Sequence, residues 1–264
     1  MGLILADVGG TNARFAISAH GDPTLSHISH LRCADFLSFE DAFERFLNGL
    51  PIDKQRGCHS LSLAVAGPVN EQVVDISNNH WRFEKDQLLD QLRLDKLLVI
   101  NDFTAQALAQ HEATECDRAK LLDGDEEASA PMLVIGPGTG LGVSALIPVA
   151  DGPLPVEGEG GNIRFAPQNE SEWELFSFMK QETDHVVVEH FVSGPGLENI
   201  HSFLAQASGS KSSLSAEMIT NLALREEGIC RDAVSMMIGI LGATMADHLL
   251  TMGCWRGAVI AGGI

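Results

Sequence analysis

The sequence predicts an α/β chain built from two related lobes, and three observations carry that reading. A short apolar run, Leu3–Ala6, meets Gly9-Gly10 and resumes as Ala13–Ser18, the composition of strand, glycine turn and strand. The same unit returns as Met132–Ile135, Gly136-Pro137-Gly138-Thr139-Gly140 and Leu141–Leu146. Laying Thr11 over Thr139 aligns the flanking runs at an offset of 128 residues, the mark of an internal duplication. Finally, short strand-like runs are interspersed with helical stretches between the two units, and the pattern turns mainly helical beyond residue 170.

Taken in order, Ser38 is placed to cap a helix that runs through Phe43 and Phe46 to Leu50, where Pro51 stops it. Leu61–Ala66 reads as a buried strand ending at Gly67-Pro68, and Val73–Ile76 as a further short strand. Lys96–Ile100 is another, with Asn101-Asp102 at its C-terminal end and a helix following from Thr104. The acidic stretch Asp123–Ala130 reads as a loop and as the join between the lobes. Their spans are expected at residues 1–110, a small lobe, and 111–264, a large one. Beyond residue 170 helices are expected at Glu172–Lys180, Pro195–Gln206, Ser215–Glu226 and Arg231–Thr251. A strand then runs from Gly257 to Ala261, ahead of Gly262-Gly263-Ile264.

Charge narrows the function classes. Acidic residues outnumber basic ones 36 to 17 in the 264 residues, a formal charge of −19. Such a surface repels nucleic acid and anionic membrane, so neither is expected as a partner. The five cysteines (Cys33, Cys58, Cys116, Cys230 and Cys254) are scattered, with no CxxC pair, which fits free thiols in a reducing compartment. The N-terminal segment is too short and uncharged for a signal peptide. The longest apolar stretch, from about Ala233 to Cys254, contains Asp247, His248 and several glycines, and reads as a buried helix rather than a membrane span. A soluble, cytoplasmic protein is expected.

The glycine segments exclude several chemistries. No GxxxxGK[ST] loop and no GxSxG elbow occur, and Gly136-Pro137-Gly138-Thr139-Gly140-Leu141-Gly142 has Leu141 where GxGxxG needs its last glycine. What remains is two glycine turns, each offering backbone N–H groups and a threonine hydroxyl, an arrangement suited to phosphate. Asp7 stands just before the first turn, where a carboxylate can hold Mg²⁺ through water or stabilise the bend as an Asx-turn.

In these segments the chain resembles the bacterial glucokinases of the hexokinase/actin/Hsp70-type superfamily. Asp7-Val8-Gly9-Gly10-Thr11-Asn12 resembles the family's first phosphate motif and Gly136–Val143 its second. Leu63–Val69 and Asn79-His80-Trp81 resemble the connecting segment and the sugar-lobe signature, and Val99–Ala105 resembles the catalytic motif. Gly158-Glu159-Gly160-Gly161 and Ser193–Leu197 resemble further sugar-site and scaffold motifs, and Ala261–Ile264 the start of the adenosine motif. These matches follow the family's order along nearly the whole chain. They imply a two-lobed ribonuclease H-like (actin/hexokinase-type) fold, with a mixed sheet and flanking helices in each lobe.

The resemblance also implies ATP-dependent phosphorylation of glucose. Asp102 would be the general base toward the sugar's 6-hydroxyl, and Asn101, Glu159, Asn162 and Glu189 would contact the sugar. Nucleotide contacts would come from Asp7, Gly9, Gly10, Thr11, Asn12, Gly138, Thr139, Gly140, Gly262 and Gly263, with Mg²⁺ at Asp7. Asn162 stands where many relatives carry histidine, which leaves sugar choice open. The cysteine-rich zinc motif of the related repressor/kinase (ROK) branch is missing, so no zinc is expected, and a homodimer is implied. Family members continue past the Ala-Gly-Gly segment. The chain is therefore expected to be truncated relative to them; were this the entire polypeptide, ATP affinity and first-lobe stability would be expected to suffer. A second reading, a sugar-binding sensor with impaired catalysis, uses the same fold and residues.

Overall fold

The computed structural model describes residues 2–19, 24–69, 71–210, 213–225 and 227–263. It divides into two compact units, Met1–Ala105 and Gln106–Ile264. In the first, β1 (Gly2–Val8) turns into β2 (Asn12–Ala19) and then β3 (Leu25–Arg32). Helices α1 (Phe39–Asn48) and α2 (Ile52–Gly57) lead to β4 (Cys58–Val65). A ribbon of β5 (Val73–Asp75) and β6 (Arg82–Glu84), followed by α3 (Lys85–Gln91), leads to β7 (Lys96–Asn101). The division between units falls inside α4 (Asp102–Glu112). The acidic stretch 123–130 therefore belongs to the second unit and does not join the two, contrary to its charge-based reading.

The second unit opens with β8 (Met132–Pro137), β9 (Leu141–Ile147) and β10 (Leu154–Val156). Four helices follow, α5 (Glu170–Met179), α6 (Gly194–Ala207), α7 (Ala216–Ala223) and α8 (Ile229–Met252), before β11 (Gly257–Ile260) closes the order. The expected end of the third of these helices, Glu226, lies outside the described residues, as does Ile264.

Strand order gives the duplication its physical form. The first sheet runs β3-β2-β1-β4-β7 and the second β10-β9-β8-β11, so their first four positions correspond. In each, three strands joined in series pair antiparallel, and the central strand then takes a parallel neighbour, β4 or β11. An antiparallel neighbour can be reached through a tight turn, which the glycine segments supply between β1 and β2 and between β8 and β9. A parallel one needs a long crossover, which the intervening helices supply. These are the mixed sheets with flanking helices that the sequence predicts.

Each unit has its own core. In the first, Ile4, Ala6 and Val8 alternate along β1 toward the interior, and Phe15 of β2 stacks on Phe46 at 5.1 Å between ring centroids. The buried face of α1 is Phe39, Ala42, Phe43 and Phe46, a helical repeat. Ser38 caps that helix as expected, its Oγ accepting from the Asp41 N–H at 3.2 Å. Trp81 packs edge-on against Phe39 at 6.1 Å. In the second unit α8 buries Ala233, Met237, Ile240, Leu241, Thr244 and His248. By length and composition α8 could cross a membrane, but its buried stripe packs against α6 and α7.

Several elements escape the sequence reading. β3 is an edge strand whose residues are mostly exposed, so it carries no apolar alternation. The helix expected from Thr104 starts at Asp102, because Asn101 caps it. The side-chain Oδ1 of Asn101 accepts from the N–H groups of Phe103 at 2.8 Å and Thr104 at 3.1 Å.

Phe43 is fully buried, so Phe43→Ala is expected to lower stability to chemical denaturation by about 3–5 kcal/mol. A loss below about 1 kcal/mol would show that α1 does not anchor this core.

Candidate active site

In the first unit three parallel strands end together. Val8 is in register with Val65, and Val65 with Asn101, so Gly9-Gly10, Ala66-Gly67 and Asp102 emerge from one sheet edge. The carboxyl ends of parallel strands are where open α/β sheets take their ligands. The glycine turn there is firmly held. Gly9 N–H donates to the Asn12 carbonyl at 3.0 Å, and the Gly9 carbonyl accepts from Asn79 Nδ2 at 2.9 Å. Gly10 lies so close to Asn78 that a Cβ would come within 3.0 Å of its carbonyl oxygen. Thr11 and Asn12 are exposed at the tip. Beside them opens a cavity of about 340 Å³, lined in part by Gly10, Thr11, Arg32 and His80.

Asp7 pairs with Arg14 at 2.9 Å, as the β1–β2 register dictates, and both side chains remain about half exposed. Asn101 is largely committed to the scaffold. Besides capping α4, it donates from Nδ2 to the Gly67 carbonyl at 3.1 Å. Asp102 is half-buried in the first turn of α4, and its Oδ1 accepts from the Phe103 N–H at 2.9 Å. The N-terminal end of a helix favours a carboxylate.

The second unit gathers the remaining candidates. Its glycine turn is closed by Gly138 N–H donating to the Gly140 carbonyl at 2.8 Å, and Gly194 N–H binds the Gly138 carbonyl at 2.9 Å. Glu189 reaches this turn, where its Oε2 accepts from the Leu141 N–H at 3.3 Å. A Cβ on Gly140 would stand 2.8 Å from that oxygen. Glu159 precedes the short 3-10 turn Gly160–Asn162, and the Asn162 N–H donates to the Glu159 carbonyl at 3.0 Å. Gly161 presses on β9, since a Cβ there would lie 2.2 Å from the Leu141 carbonyl oxygen.

Two glutamates approach each other here. Although Glu159 reaches solvent, partial burial raises its carboxyl above the ordinary range. The charge of Glu189 raises it further, and a hydrogen bond from the Asn162 side chain partly offsets both.

β8 and β11 run parallel with Ile135 opposite Ile260, which brings Gly138 and Gly262 to the same edge. Gly262 has φ +112°, and a Cβ there would fall 2.4 Å from the Pro137 carbonyl oxygen, so the glycine is required where the chain crosses the turn. Gly263 follows it, and Thr139 stands inside the turn. The structure thus assembles the sequence candidates in two sets, each within its own unit. Gly67 and Asn79 entered the sequence reading only as parts of motifs, yet Asn79 ties the Gly9 turn from behind and Gly67 accepts from Asn101; His248, read only as part of an apolar helix, packs beside Gly160. The signals available were a glycine closing a strand and a histidine in an apolar helix.

The sequence profile of the glucokinase family matches residues 4–264. The glucokinase of Helicobacter pylori (strain ATCC 700392 / 26695) is 39% identical over 272 residues, covering 99% of this chain and 80% of that protein. The crystal structure of a glucokinase from an Antarctic psychrotroph matches with a TM-score of 0.81 at 30% identity, covering 100% of this chain and 83% of its own. An ROK family glucokinase from Streptomyces griseus, solved in complex with glucose and AMPPNP, shares the fold at a TM-score of 0.67 and 19% identity, over 100% and 83% of the two chains. Identity at the first of these levels, with a profile that spans nearly the whole sequence, means that the chain belongs to the glucokinase family and is an ATP-dependent hexose kinase.

Proposed function

We propose that the chain transfers the γ-phosphoryl group of ATP to the 6-hydroxyl of glucose, with Asp102 as general base. The observation that supports this most is the strand register that brings Asp102 to the sheet edge carrying the Gly9-Gly10 turn. The Asp102 carboxylate takes the proton of the 6-hydroxyl as that oxygen bonds to the γ-phosphorus. The bond from the γ-phosphorus to the β–γ bridging oxygen breaks, and ADP leaves with that oxygen. Glu159, Glu189 and Asn162 orient the sugar through hydrogen bonds to its hydroxyls, which are strong where the acceptor is charged. Backbone N–H groups and threonine hydroxyls at Gly9–Asn12 and Gly138–Gly140 bind phosphate, while Gly262 and Gly263 border the adenosine. Asn101 acts on the sugar chiefly by fixing the start of α4, because its side chain already serves three backbone groups.

Asp7 suits a water-mediated contact with Mg²⁺. It is half exposed beside the first turn, and among the described residues no three metal-binding side chains cluster into a cage. When bound with ATP, Mg²⁺ supplies charge neutralisation on the phosphates. A cytoplasmic setting accords with the five free cysteines. A homodimer is part of the same reading, and light scattering is expected to give twice the chain's mass.

Asp102→Asn keeps the oxygen that accepts from Phe103 but removes the base. It is expected to lower kcat by about 10²–10⁴-fold with the melting temperature preserved. Activity within about tenfold of wild type would reassign the base.

Glu159→Gln separates binding from stability. The raised carboxyl means that the sugar-free fold favours protonated Glu159. Its stabilising contribution is therefore present below the ordinary carboxylate range and lost as pH rises through the raised value. The glutamine variant is expected to melt higher than wild type at neutral pH, with the gain vanishing in acid, while its KM for glucose rises. Thermal melts from pH 4 to pH 8 read the first effect, and a coupled kinase assay reads the second.

A further inference from the structure

We propose that Asn79 is a positioning residue for the phosphate turn, which it holds so that the Gly10 N–H faces the phosphate. The proposal rests on the reading of Gly9–Asn12 as a phosphate site. The resemblance groups Asn79 with the sugar lobe, yet its side chain reaches this turn, 70 residues away in sequence. Its Nδ2 donates to the Gly9 carbonyl at 2.9 Å. Its Oδ1 accepts from the Trp81 N–H at 3.1 Å, so both ends of the amide are used and its orientation is fixed. Trp81 is buried, packs edge-on against Phe39 and donates from Nε1 to the Phe36 carbonyl at 3.3 Å. The loop that bears Asn79 is thereby anchored in the core of the first unit.

The Gly9 carbonyl and the Gly10 N–H belong to one peptide group. That group is planar and trans, so the two point in opposite directions. A donor that holds the carbonyl on one side therefore turns the N–H to the other. The turn's neighbouring acceptors are occupied as well. The Thr11 carbonyl accepts from the Cys33 N–H at 2.9 Å, and the Asn12 carbonyl from the Gly9 N–H at 3.0 Å. Among the described residues the Gly10 and Thr11 N–H groups meet no acceptor. Open donors beside occupied acceptors suit an anion, which a bare carbonyl oxygen would repel. Backbone donors hold two of these carbonyls, but side chains hold that of Gly9. Besides Asn79, only the weak donor Cys33 Sγ approaches it among the described residues, at 3.8 Å. A single substitution at Asn79 can therefore loosen this peptide without touching the strands.

The test compares Asn79→Leu, Asn79→Asp and Thr11→Ala by their KM for ATP and for glucose. Leucine removes both bonds without adding charge. Aspartate keeps an acceptor for Trp81 and loses the donor to Gly9. Both are expected to raise the ATP KM about three- to tenfold, the effect of one lost hydrogen bond, with the glucose KM unchanged. For aspartate the ratio to wild type is expected to persist at high ionic strength, which screens a simple charge repulsion. Thr11→Ala, which removes the turn's hydroxyl, is expected to raise the ATP KM too. A wild-type ATP KM in either Asn79 variant, an equal rise in both KM values, or an aspartate effect that vanishes in salt overturns the role of Asn79. With a raised ATP KM in Thr11→Ala, the phosphate reading then still stands. An unchanged ATP KM in Thr11→Ala overturns the phosphate reading itself. Should the leucine variant not fold, the aspartate variant decides by the same measurements.

Discussion

The parallel pairing of β1 with β4, and of β4 with β7, is the constraint on which the first unit's chemistry depends. Only parallel strands deliver the residues after Val8, Val65 and Asn101 to one edge. Were β7 reversed, Asp102 would lie about 17 Å away at the opposite edge, given 3.3 Å per residue over its six residues. Parallel pairing forbids short connections, so the chain devotes α1 and α2 to one crossover and β5, β6 and α3 to the next. β8 and β11 repeat the arrangement across a longer interval, with α5 to α8 between them. The helices are thus the connections that a shared strand end requires.

Once the ends are gathered, the turns must stay open to a ligand while remaining fixed. Backbone hydrogen bonds do this locally, as at Gly9 and Gly138. Side chains from distant elements do it from behind, as Asn79 does at the Gly9 carbonyl. The glutamates show the opposing demand. Glu189 lies close enough to disfavour the charge of Glu159, an arrangement that stability alone would not select. Leu141 N–H and the Asn162 side chain supply partial compensation, and a ligand rich in hydroxyl donors would supply more.

Much of this was legible in the sequence, for identifiable reasons. Glycine pairs between apolar runs marked both hairpins, and their spacing disclosed the repeated strand order. Ser38 announced the start of α1 because a cap is a local interaction, confined to a few residues. β3 gave no signal because an edge strand with little buried surface needs no apolar alternation. The role of Asn101 was half visible. Its place after a strand was clear, but its second bond goes to the Gly67 carbonyl, which only the fold brings near. His248 looked like a polar interruption of an apolar helix. Its ring packs beside Gly160, a residue far away in sequence that only the fold brings near.

On the proposed reading of Glu159 as a sugar ligand, the tightness of the loop after it bears on how sugar preference can change over evolutionary time. Gly160 is walled by Val143 and His248, and Gly161 by the Leu141 backbone, so both positions reject any side chain. Asn162, the next residue, is exposed, and its side chain reaches the Glu159 carboxylate. Mutations in this loop are therefore filtered unequally: drift is blocked at two successive positions and permitted at the third. Position 162 becomes the natural outlet for divergence, a place where a lineage can retune the electrostatics around its substrate without remaking the fold.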